Sequence, residues 1–320
     1  MKTFCCRPIS THSRSAVAGP LILLVALLTL IFFGCTSQKD APEPVTEEYT
    51  RTLTIGLIPE HNIFKQRERY KPLSAYLSEK TGVGIELKIL SQYGNIINNF
   101  NTLDLDGAFF GSFTYALAHT RIAVETLARP ENSEGVSTYH GMIFVRKDSP
   151  IDSAALMKGK RFAFVDKATT AGYLLPLKYF RENGIEDYQD YFSETYFTGT
   201  HEDAVYDVLN GKADIGAAKN TVFYRLAHID RRILEELRII DRSPEVPENA
   251  LALKSDLDES LRSRIRDVLL GMDQDPEGRR VLKGFGQSRF IETTNQDYDP
   301  VFKYAEAVGL DLATYDWMND

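Results

Sequence analysis

The residues best suited to bind a ligand lie between Phe164 and Pro176, in the segment Phe-Val-Asp-Lys-Ala-Thr-Thr-Ala-Gly-Tyr-Leu-Leu-Pro. An apolar run that predicts a strand leads into two hydroxyl side chains and two small residues, which open a helical pattern. Hydroxyls and unpaired backbone N–H groups at a helix N-terminus favour an anion. Thr169, Thr170 and the Ala171 backbone are therefore candidate ligands, and Ala171 and Gly172 leave room for close approach. The alternative is that one threonine only caps the helix.

The elements that position this segment alternate between short apolar runs and helical patterns from Arg51 onward. Strands are predicted over 52–57, 85–90, 107–110, 122–127, 142–145, 162–165, 196–197, 214–217, 237–240 and 251–253, and helices over 71–81, 96–100, 112–119, 174–182, 203–209, 257–270, 276–282 and 300–308. Repeated strand–helix–strand units predict an α/β protein whose mixed sheets are mostly parallel and flanked by helices.

Two blocks of this kind predict two lobes around a cleft. Lobe 1 is expected over 51–140, with 248–320 returning to it, and lobe 2 over 141–247. Open α/β sheets bind ligands beyond the carboxyl ends of their strands, and two facing sheets can close on a ligand by hinge motion. A two-lobed domain of this architecture is typical of solute-binding proteins.

The N-terminal residues predict export and attachment to a membrane. Lys2, Arg7 and Arg14 precede an apolar run over 21–33 that is short for a bilayer span, which is typical of a signal peptide over 1–34. Gly34-Cys35 resembles the end of a bacterial lipobox, so Cys35 is the expected lipidation site. A polar linker is expected over 35–50. The alternative is an uncleaved anchor helix, and both place the domain in the bacterial cell envelope, outside the cytoplasm.

Composition excludes several classes of function. The 320 residues are 43% hydrophobic and 26% charged, as in globular proteins. Without the three basic residues before Cys35, 34 basic and 45 acidic residues leave a formal charge of −11, which argues against nucleic-acid binding. Cysteines occur only at Cys5, Cys6 and Cys35, so disulfides, thiol catalysis and cysteine-bound zinc are excluded from the domain. The histidines lack metal-ligand spacing and no Gly-x-Ser-x-Gly motif occurs, so we expect no metal, no cofactor and no enzyme activity.

The segment beginning at Thr169 resembles the Ser-Thr-Ser-Gly-aromatic-Leu-x-Pro loop of the phosphonate and phosphite binding proteins that serve ABC importers. The resemblance covers most of the chain from Leu53 to Gln287. Further matching segments occur in the family's order and spacing: 69–73 with 81–82, 93–97, 106–111, Tyr139 ten residues before Ser149, 199–202 and 210–214. This resemblance implies a two-lobed periplasmic-binding-protein type II fold with the ligand in the cleft between the lobes.

The same resemblance implies which residues contact the ligand. Thr169, Thr170 and the Ala171 amide would bind the phosphonyl oxygens, and Tyr93 and Tyr139 would donate their hydroxyls. His201 matches the family histidine, although on spacing alone it is better explained as the first helical residue after a Thr200 cap. His201 could titrate in the pH range in which phosphate-like ligands change their protonation.

Two positions depart from the family members that bind aminoalkylphosphonates. The carboxylates that hold the ligand ammonium in those proteins align with Thr221 and Asn249, although Glu248 could still reach the pocket. An ammonium without a paired carboxylate is costly to bury. We therefore expect a small tetrahedral oxyanion without a cationic tail: phosphite, phosphate or a simple alkylphosphonate such as methylphosphonate.

Two functions remain open from the sequence. The first is a monomeric lipoprotein that captures the oxyanion for an ABC permease. The second is a tethered sensor or interaction lipoprotein with the same fold that signals to a receptor. The residue after Cys35 is Thr36 and not aspartate, which would usually permit sorting to the outer membrane, where an importer's receptor would be less useful.

Overall fold

A computed structural model describes residues 49–60 and 62–319. They form two large sheets with helices on both faces and a two-stranded ribbon. This arrangement confirms the predicted two-lobed α/β fold. The predicted signal peptide, Cys35 and most of the predicted linker lie outside the described residues.

The strands account for both sheets and the ribbon. In chain order they are β1 (Thr52–Leu57), β2 (Gly84–Ile89), β3 (Gly107–Phe110), β4 (Val124–Glu131), β5 (Thr138–Tyr139), β6 (Gly141–Arg146), β7 (Arg161–Phe164), β8 (Glu194–Phe197), β9 (Ile215–Lys219), β10 (Leu237–Arg242), β11 (Val246–Pro247), β12 (Ala250–Lys254) and β13 (Arg289–Glu292). The sheet of lobe 1 has the order β13-β4-β12-β3-β1-β2, and the sheet of lobe 2 has the order β10-β6-β9-β7-β8.

Both sheets are mixed, as expected, but parallel pairs do not predominate. Parallel pairs are β1–β2, β1–β3, β7–β8 and β7–β9. Antiparallel pairs are β12–β3, β12–β4, β13–β4, β6–β9 and β6–β10. The strands β6 and β12 come directly after the segments in which the chain crosses from one lobe to the other. No crossover helix precedes them, so they can run antiparallel to their neighbours.

The helices lie in layers on the faces of the sheets. They are α1 (Ile63–Thr81), α2 (Asn95–Thr102), α3 (Ser112–Ile122), α4 (Leu175–Glu182), α5 (Tyr188–Tyr191), α6 (His201–Leu209), α7 (Asn220–Ile229), α8 (Arg232–Glu236), α9 (Glu259–Leu270), α10 (Pro276–Phe285) and α11 (Asp299–Ala307). Short 3₁₀ turns cover Ala154–Met157 and Asn295–Tyr298, and a π-helical turn covers Thr170–Leu174. Among the described residues, no helix combines the length and apolar composition needed to cross a membrane.

Alternation along the central strands explains why both faces of each sheet are buried. In β12, Leu251 and Leu253 pack with α1 and α9, whereas Ala250 and Ala252 pack on the opposite face with the core of α2 and α3. Successive side chains of a strand point to opposite faces, so a continuous apolar run supplies two cores. Strand β6 in lobe 2 behaves in the same way.

Helix α1 begins eight residues before the predicted helix over 71–81. The side chain of Asn62 caps it by accepting a hydrogen bond from the amide of Phe64, and Pro72 lies inside it. Proline removes one helical hydrogen bond. Burial of Tyr70, Leu73 and Leu77 against the lobe 1 sheet offsets this cost.

Three segments connect the lobes. The strands β5 and β11 pair as an antiparallel ribbon where the chain leaves and re-enters lobe 1. The third segment is the C-terminal tail over 311–319, which the sequence did not predict. Arg121 of α3 donates to the carbonyls of Leu312 and Tyr315, and the Tyr315 hydroxyl donates to the Lys167 carbonyl in lobe 2. The tail therefore ties the two lobes together in addition to the ribbon.

We expect Gly107→Ala to destabilise the fold. A Cβ atom at Gly107 would lie 2.5 Å from the carbonyl oxygen of Ala252 in the neighbouring strand, a backbone atom that cannot move alone. The loss in free energy of unfolding should be about 1–3 kcal/mol, measured by urea denaturation. In the matched control, Gly284→Ala in α10, the new Cβ meets nothing within 4 Å, so stability should stay equal or rise slightly. Equal losses in both variants would show that the close approach of β12 does not require glycine at position 107.

Candidate functional site

The candidate site collects residues that follow the carboxyl ends of parallel strands in both lobes. In lobe 1, β1, β2 and β3 are parallel, and in lobe 2, β7, β8 and β9 are parallel. The residues after these strands are Glu60, Tyr93 and Ser112 in lobe 1, and Thr170 and His201 in lobe 2, where Lys219 ends β9. Carboxyl ends of parallel strands share one edge of a sheet, which is where α/β sheets bind ligands.

A helix begins after β7 at the predicted position, and its first turn is π-helical. The amide of Leu174 bonds to the carbonyl of Thr169, and the amide of Leu175 bonds to the carbonyl of Thr170, both five residues apart. The amides of Thr170 and Ala171 precede the first such bond, so they have no partner within the helix. Turns of this kind are frequent at functional sites.

Thr169 is buried, but its hydroxyl serves its own loop. It donates to the carbonyl of Asp166 at 2.7 Å. Gly172 is also needed for packing, since a Cβ atom there would collide with the side chain of Val165. The contact between the turn and the strand therefore requires glycine at position 172 whether or not a ligand approaches it.

Thr170 faces lobe 1 directly. Its hydroxyl oxygen accepts a hydrogen bond of 2.8 Å from the amide of Phe113, in the first turn of α3. The N-termini of two helices, one from each lobe, thus meet at this hydroxyl. Each helix end carries a partial positive charge, so the junction attracts an anion.

Tyr139 joins the same junction from the ribbon. Its hydroxyl lies 3.2 Å from the hydroxyl of Ser112, which donates to the carbonyl of Pro247. The Thr170 hydroxyl also donates toward this phenol and lowers its pKa, but burial has the larger effect and raises the pKa of Tyr139 above its ordinary value. The phenol therefore stays protonated.

Tyr93 is the buried polar side chain of the site that lacks a partner. It is 2% exposed, and its hydroxyl makes no hydrogen bond. Its ring lies edge-on to the ring of His201, with centroids 6.0 Å apart, and it shares an apolar cluster with Tyr139 and Ala171. Burial, followed by the charges of Glu60 and Asp166, raises its pKa well above the ordinary value, so Tyr93 remains a donor.

His201 is a neutral donor. The expectation that it titrates near neutral pH is wrong. Burial lowers its pKa to about 3, with Lys219 and Arg225 adding to the effect and Glu60 opposing it. Its Nδ1 atom accepts a hydrogen bond of 3.3 Å from the Lys219 amide, so the proton of the neutral ring resides on Nε2. Thr200 caps α6 as expected, accepting from the amide of Asp203.

Thr221 and Asn249 lie beside a lysine that the sequence pattern did not reveal as a site residue. Both line a small cavity with Glu60, Lys219 and Glu248. Asn249 is buried and its Oδ1 accepts from Lys219 Nζ at 3.1 Å, whereas Thr221 is exposed. Burial alone would lower the pKa of Lys219, but the carboxylates of Glu248 and Glu60 outweigh it and raise the pKa above its ordinary value.

Asp166 connects the site to the C-terminal tail. Its carboxylate accepts from the Ala168 amide and from the side chain of Asn319, both at 2.8 Å. Burial raises its pKa, while these bonds and the amides of Tyr93 and Gly94 in lobe 1 oppose the rise. Asp166 therefore holds the turn after β7 against both lobe 1 and the tail.

The chain matches a known protein family over most of its length. A family model described as the periplasmic substrate-binding protein of phosphonate ABC transporters matches residues 55–298. The chain belongs to this family. Its members are substrate-binding components of transporters that act outside the cytoplasm, and they are not enzymes.

Two curated relatives and one solved structure illustrate the family. The phosphonates-binding periplasmic protein of Escherichia coli is 25% identical, with 87% of this chain and 83% of the relative covered. A phosphate-import protein of Mycolicibacterium smegmatis is 28% identical, with 67% of each chain covered. PhnD1 of Prochlorococcus marinus, solved with methylphosphonate, has the same fold with a TM-score of 0.72 at 21% identity, covering 80% of this chain and 97% of that one.

The main residues missed by sequence reasoning are Lys219, Glu60 and Ser112. Each had a signal in the sequence: Lys219 ends an otherwise apolar strand, Glu60 follows the first strand after Ile58-Pro59, and Gly111-Ser112 joins a strand to a helix as Thr169-Thr170 does. The part of the chain described by the structure contains no group of three His, Cys, Asp or Glu side chains that could hold a metal.

The neutral state of His201 predicts a defined pH dependence of stability. Its folded pKa of about 3 is below the ordinary value of 6.5, so the unfolded chain binds more protons between these values. The stabilisation is complete above the unfolded pKa and is lost as pH falls, by about 1.4 kcal/mol per pH unit inside this window. Urea titrations at pH 7, 6 and 5 should show a steeper fall for the natural chain than for His201→Asn, which keeps an acceptor for the Lys219 amide.

The exposed His228 provides the matched control for this measurement. His228→Asn makes the same exchange of an imidazole for an amide at the surface and shows what that exchange does by itself. Equal slopes for the natural chain and His201→Asn would show that His201 is not held neutral by burial.

Proposed function

We propose that this chain captures a small tetrahedral oxyanion without a cationic tail and delivers it to an ABC permease. Phosphite, phosphate and simple alkylphosphonates are the ligands of this class. The observation that carries the proposal is the buried, unpartnered hydroxyl of Tyr93 in the cluster where two helix N-termini meet. An unsatisfied buried hydroxyl costs free energy, and a ligand oxygen would remove that cost.

The donor set suits an oxyanion better than other ligands. Tyr93 and His201 Nε2 can donate from side chains, and the first-turn amides of Thr170 and Ala171 can donate from the backbone. Tyr139 and Thr170 supply further hydroxyls, while Thr169 supports the loop through Asp166. Directed donors in a site of low dielectric bind an anion strongly although the domain itself is acidic.

The absence of charge on Thr221 and Asn249 supports ligands without an ammonium group. An ammonium in this region would need a carboxylate that is not already engaged, and both Glu60 and Glu248 contact Lys219. The relatives support the ligand class, since PhnD1 of Prochlorococcus marinus was solved with methylphosphonate and the mycobacterial relative is named for phosphate import.

Ligand capture would use the closure of the two lobes. In this structure lobe 1 and lobe 2 touch through Thr170 and Phe113 and through Lys219 and Glu60. These contacts must separate to admit a ligand and re-form around it, with the ribbon β5–β11 as the hinge. Family membership favours delivery to a permease over signalling to a receptor.

Attachment to a membrane is proposed from the sequence. The basic residues, the apolar run over 21–33 and Gly34-Cys35 support a lipid anchor on Cys35 after removal of residues 1–34. The polar residues that follow would hold a monomeric binding domain away from the membrane surface.

Calorimetry of the full chain in detergent tests the ligand class. Phosphite, phosphate, methylphosphonate and 2-aminoethylphosphonate are titrated under identical conditions. We expect at least one of the first three to bind at least about 100-fold more tightly than 2-aminoethylphosphonate, because an unpaired ammonium would have to be desolvated. Tightest binding of 2-aminoethylphosphonate would refute the ligand class, and no binding of any anion would refute the function.

Replacing Tyr93 by phenylalanine should change stability and affinity in opposite directions. Without ligand, Tyr93→Phe removes an unsatisfied hydroxyl and should raise the free energy of unfolding by about 1 kcal/mol. Affinity for the best anion should fall about 5- to 15-fold, as for one lost hydrogen bond.

Tyr76→Phe is the control for this variant. The Tyr76 hydroxyl donates to Asp275 at 3.0 Å, away from the cleft, so its loss should lower stability and leave affinity unchanged. If Tyr93→Phe instead behaves like Tyr76→Phe, the Tyr93 hydroxyl has no role in binding.

A further inference from the structure

Lys219 is a buried cation at the boundary between the lobes. It ends β9 in lobe 2 and is 3% exposed. Its Nζ atom lies 3.1 Å from Oε1 of Glu60 and 3.1 Å from Oδ1 of Asn249, and it also contacts Oε1 of Glu248. The same atom lies 4.3 Å from the centroid of the Tyr139 ring.

These contacts use the full binding capacity of an ammonium group. Lys has three N–H donors, and here Glu60, Glu248 and Asn249 provide three acceptors while Tyr139 provides an aromatic face. The acceptors come from lobe 1 and from the residues just after the ribbon, whereas the lysine comes from lobe 2. The ammonium is therefore enclosed only when the lobes are together.

The ion group lies directly beside the candidate anion donors. The backbone amide of Lys219 fixes the His201 ring, and the Tyr139 ring under Nζ carries the hydroxyl that approaches Ser112. A cavity of about 50 Å³ adjoins the group, small beside the ~300–1,000 Å³ of ordinary ligand pockets. Lys219 lines this small cavity, and its ammonium fills the space between Glu60, Glu248 and Asn249.

We propose that Lys219 is a specificity-determining residue: a built-in ammonium that occupies the place and the carboxylates which the ammonium of an aminoalkylphosphonate would need. This inference rests on the proposed function. The sequence explained the expected ligand class by the loss of carboxylates at Thr221 and Asn249, and Lys219 gives a different explanation. Carboxylates are present at this end of the site, but Lys219 already engages them. The lysine also offsets two negative charges that would otherwise repel the oxyanion.

A purely structural role explains these contacts less well. Taking three charges out of water is expensive, and an apolar contact between the lobes would hold them together at least as well. A role in discriminating between ligands explains better why a charged group is enclosed beside the candidate donors.

The test compares the natural chain with Lys219→Ala, which vacates the space and leaves Glu60 and Glu248 to accept a ligand ammonium. Calorimetry of the full chain in detergent measures Kd for methylphosphonate, 2-aminoethylphosphonate and propylphosphonate, the last being isosteric with the second but with a methyl group in place of the ammonium. We expect the ratio of affinities for 2-aminoethylphosphonate over methylphosphonate to rise at least about 30-fold in Lys219→Ala. Propylphosphonate should gain much less, because it cannot pair with the carboxylates.

Two further variants keep the test decisive. Lys219→Ala with Glu248→Gln removes one unpaired charge and leaves Glu60, so it provides the same measurement if Lys219→Ala fails to fold. Lys158→Ala changes an exposed lysine of lobe 2 and should leave every ratio unchanged.

The outcomes separate this inference from the proposed function. If the natural chain binds methylphosphonate but the ratio does not move, or propylphosphonate gains as much as 2-aminoethylphosphonate, the role of Lys219 is refuted and the function stands. If the natural chain binds no anion, the proposed function fails and the inference with it. Failure of both Lys219 variants to fold would show that the lysine serves folding, which also refutes the inference.

Discussion

Polar groups buried where the two lobes meet must find partners, and this requirement organises the site. The Phe113 amide of lobe 1 uses the Thr170 hydroxyl of lobe 2, and Lys219 of lobe 2 uses Glu60 of lobe 1. An unpaired buried donor costs about 1–3 kcal/mol, and an unpaired buried charge costs more. These groups are therefore paired with each other across the cleft, whereas the buried Tyr93 hydroxyl has no hydrogen-bond partner.

Electrostatics at the site differ from those of the whole domain. The domain is strongly acidic, which disfavours anions at long range, but salt screens such effects beyond about 10 Å. At the candidate site two helix N-termini meet, burial keeps His201 neutral, and Lys219 compensates nearby carboxylates. Short, directed interactions at the candidate site can therefore outweigh the field of the acidic surface.

The same contacts connect binding to the relative position of the lobes. The ribbon β5–β11 carries Tyr139, and Asp166 bonds to the tail residue Asn319. Trp317 packs against Gly94, next to Tyr93, so closely that a Cβ atom on Gly94 would collide with its ring. A movement of the turn after β7 relative to lobe 1 would thus act on the ribbon and on the tail at once.

Local sequence predicted most of the strands and helices and the helix start at Thr169-Thr170, because strand periodicity and helix-end chemistry depend on neighbouring residues. It did not predict the helices α5, α7 and α8 or the strands β5, β11 and β13. It placed Tyr93, Tyr139 and His201 only through resemblance to a family. It did not reveal that the Thr169 hydroxyl serves its own loop, that burial keeps His201 neutral, or that antiparallel pairs are as important as parallel ones.

Only the tertiary structure decided the pairing of Lys219 with Glu60 and Glu248. These carboxylates are 159 and 29 residues away in sequence, and they reach the lysine because the carboxyl edges of two separate sheets face each other. No local pattern encodes which charge will lie opposite which across a cleft. Burial makes an unpaired charge costly and its pairing favourable. This burial exists only once the lobes are folded and together.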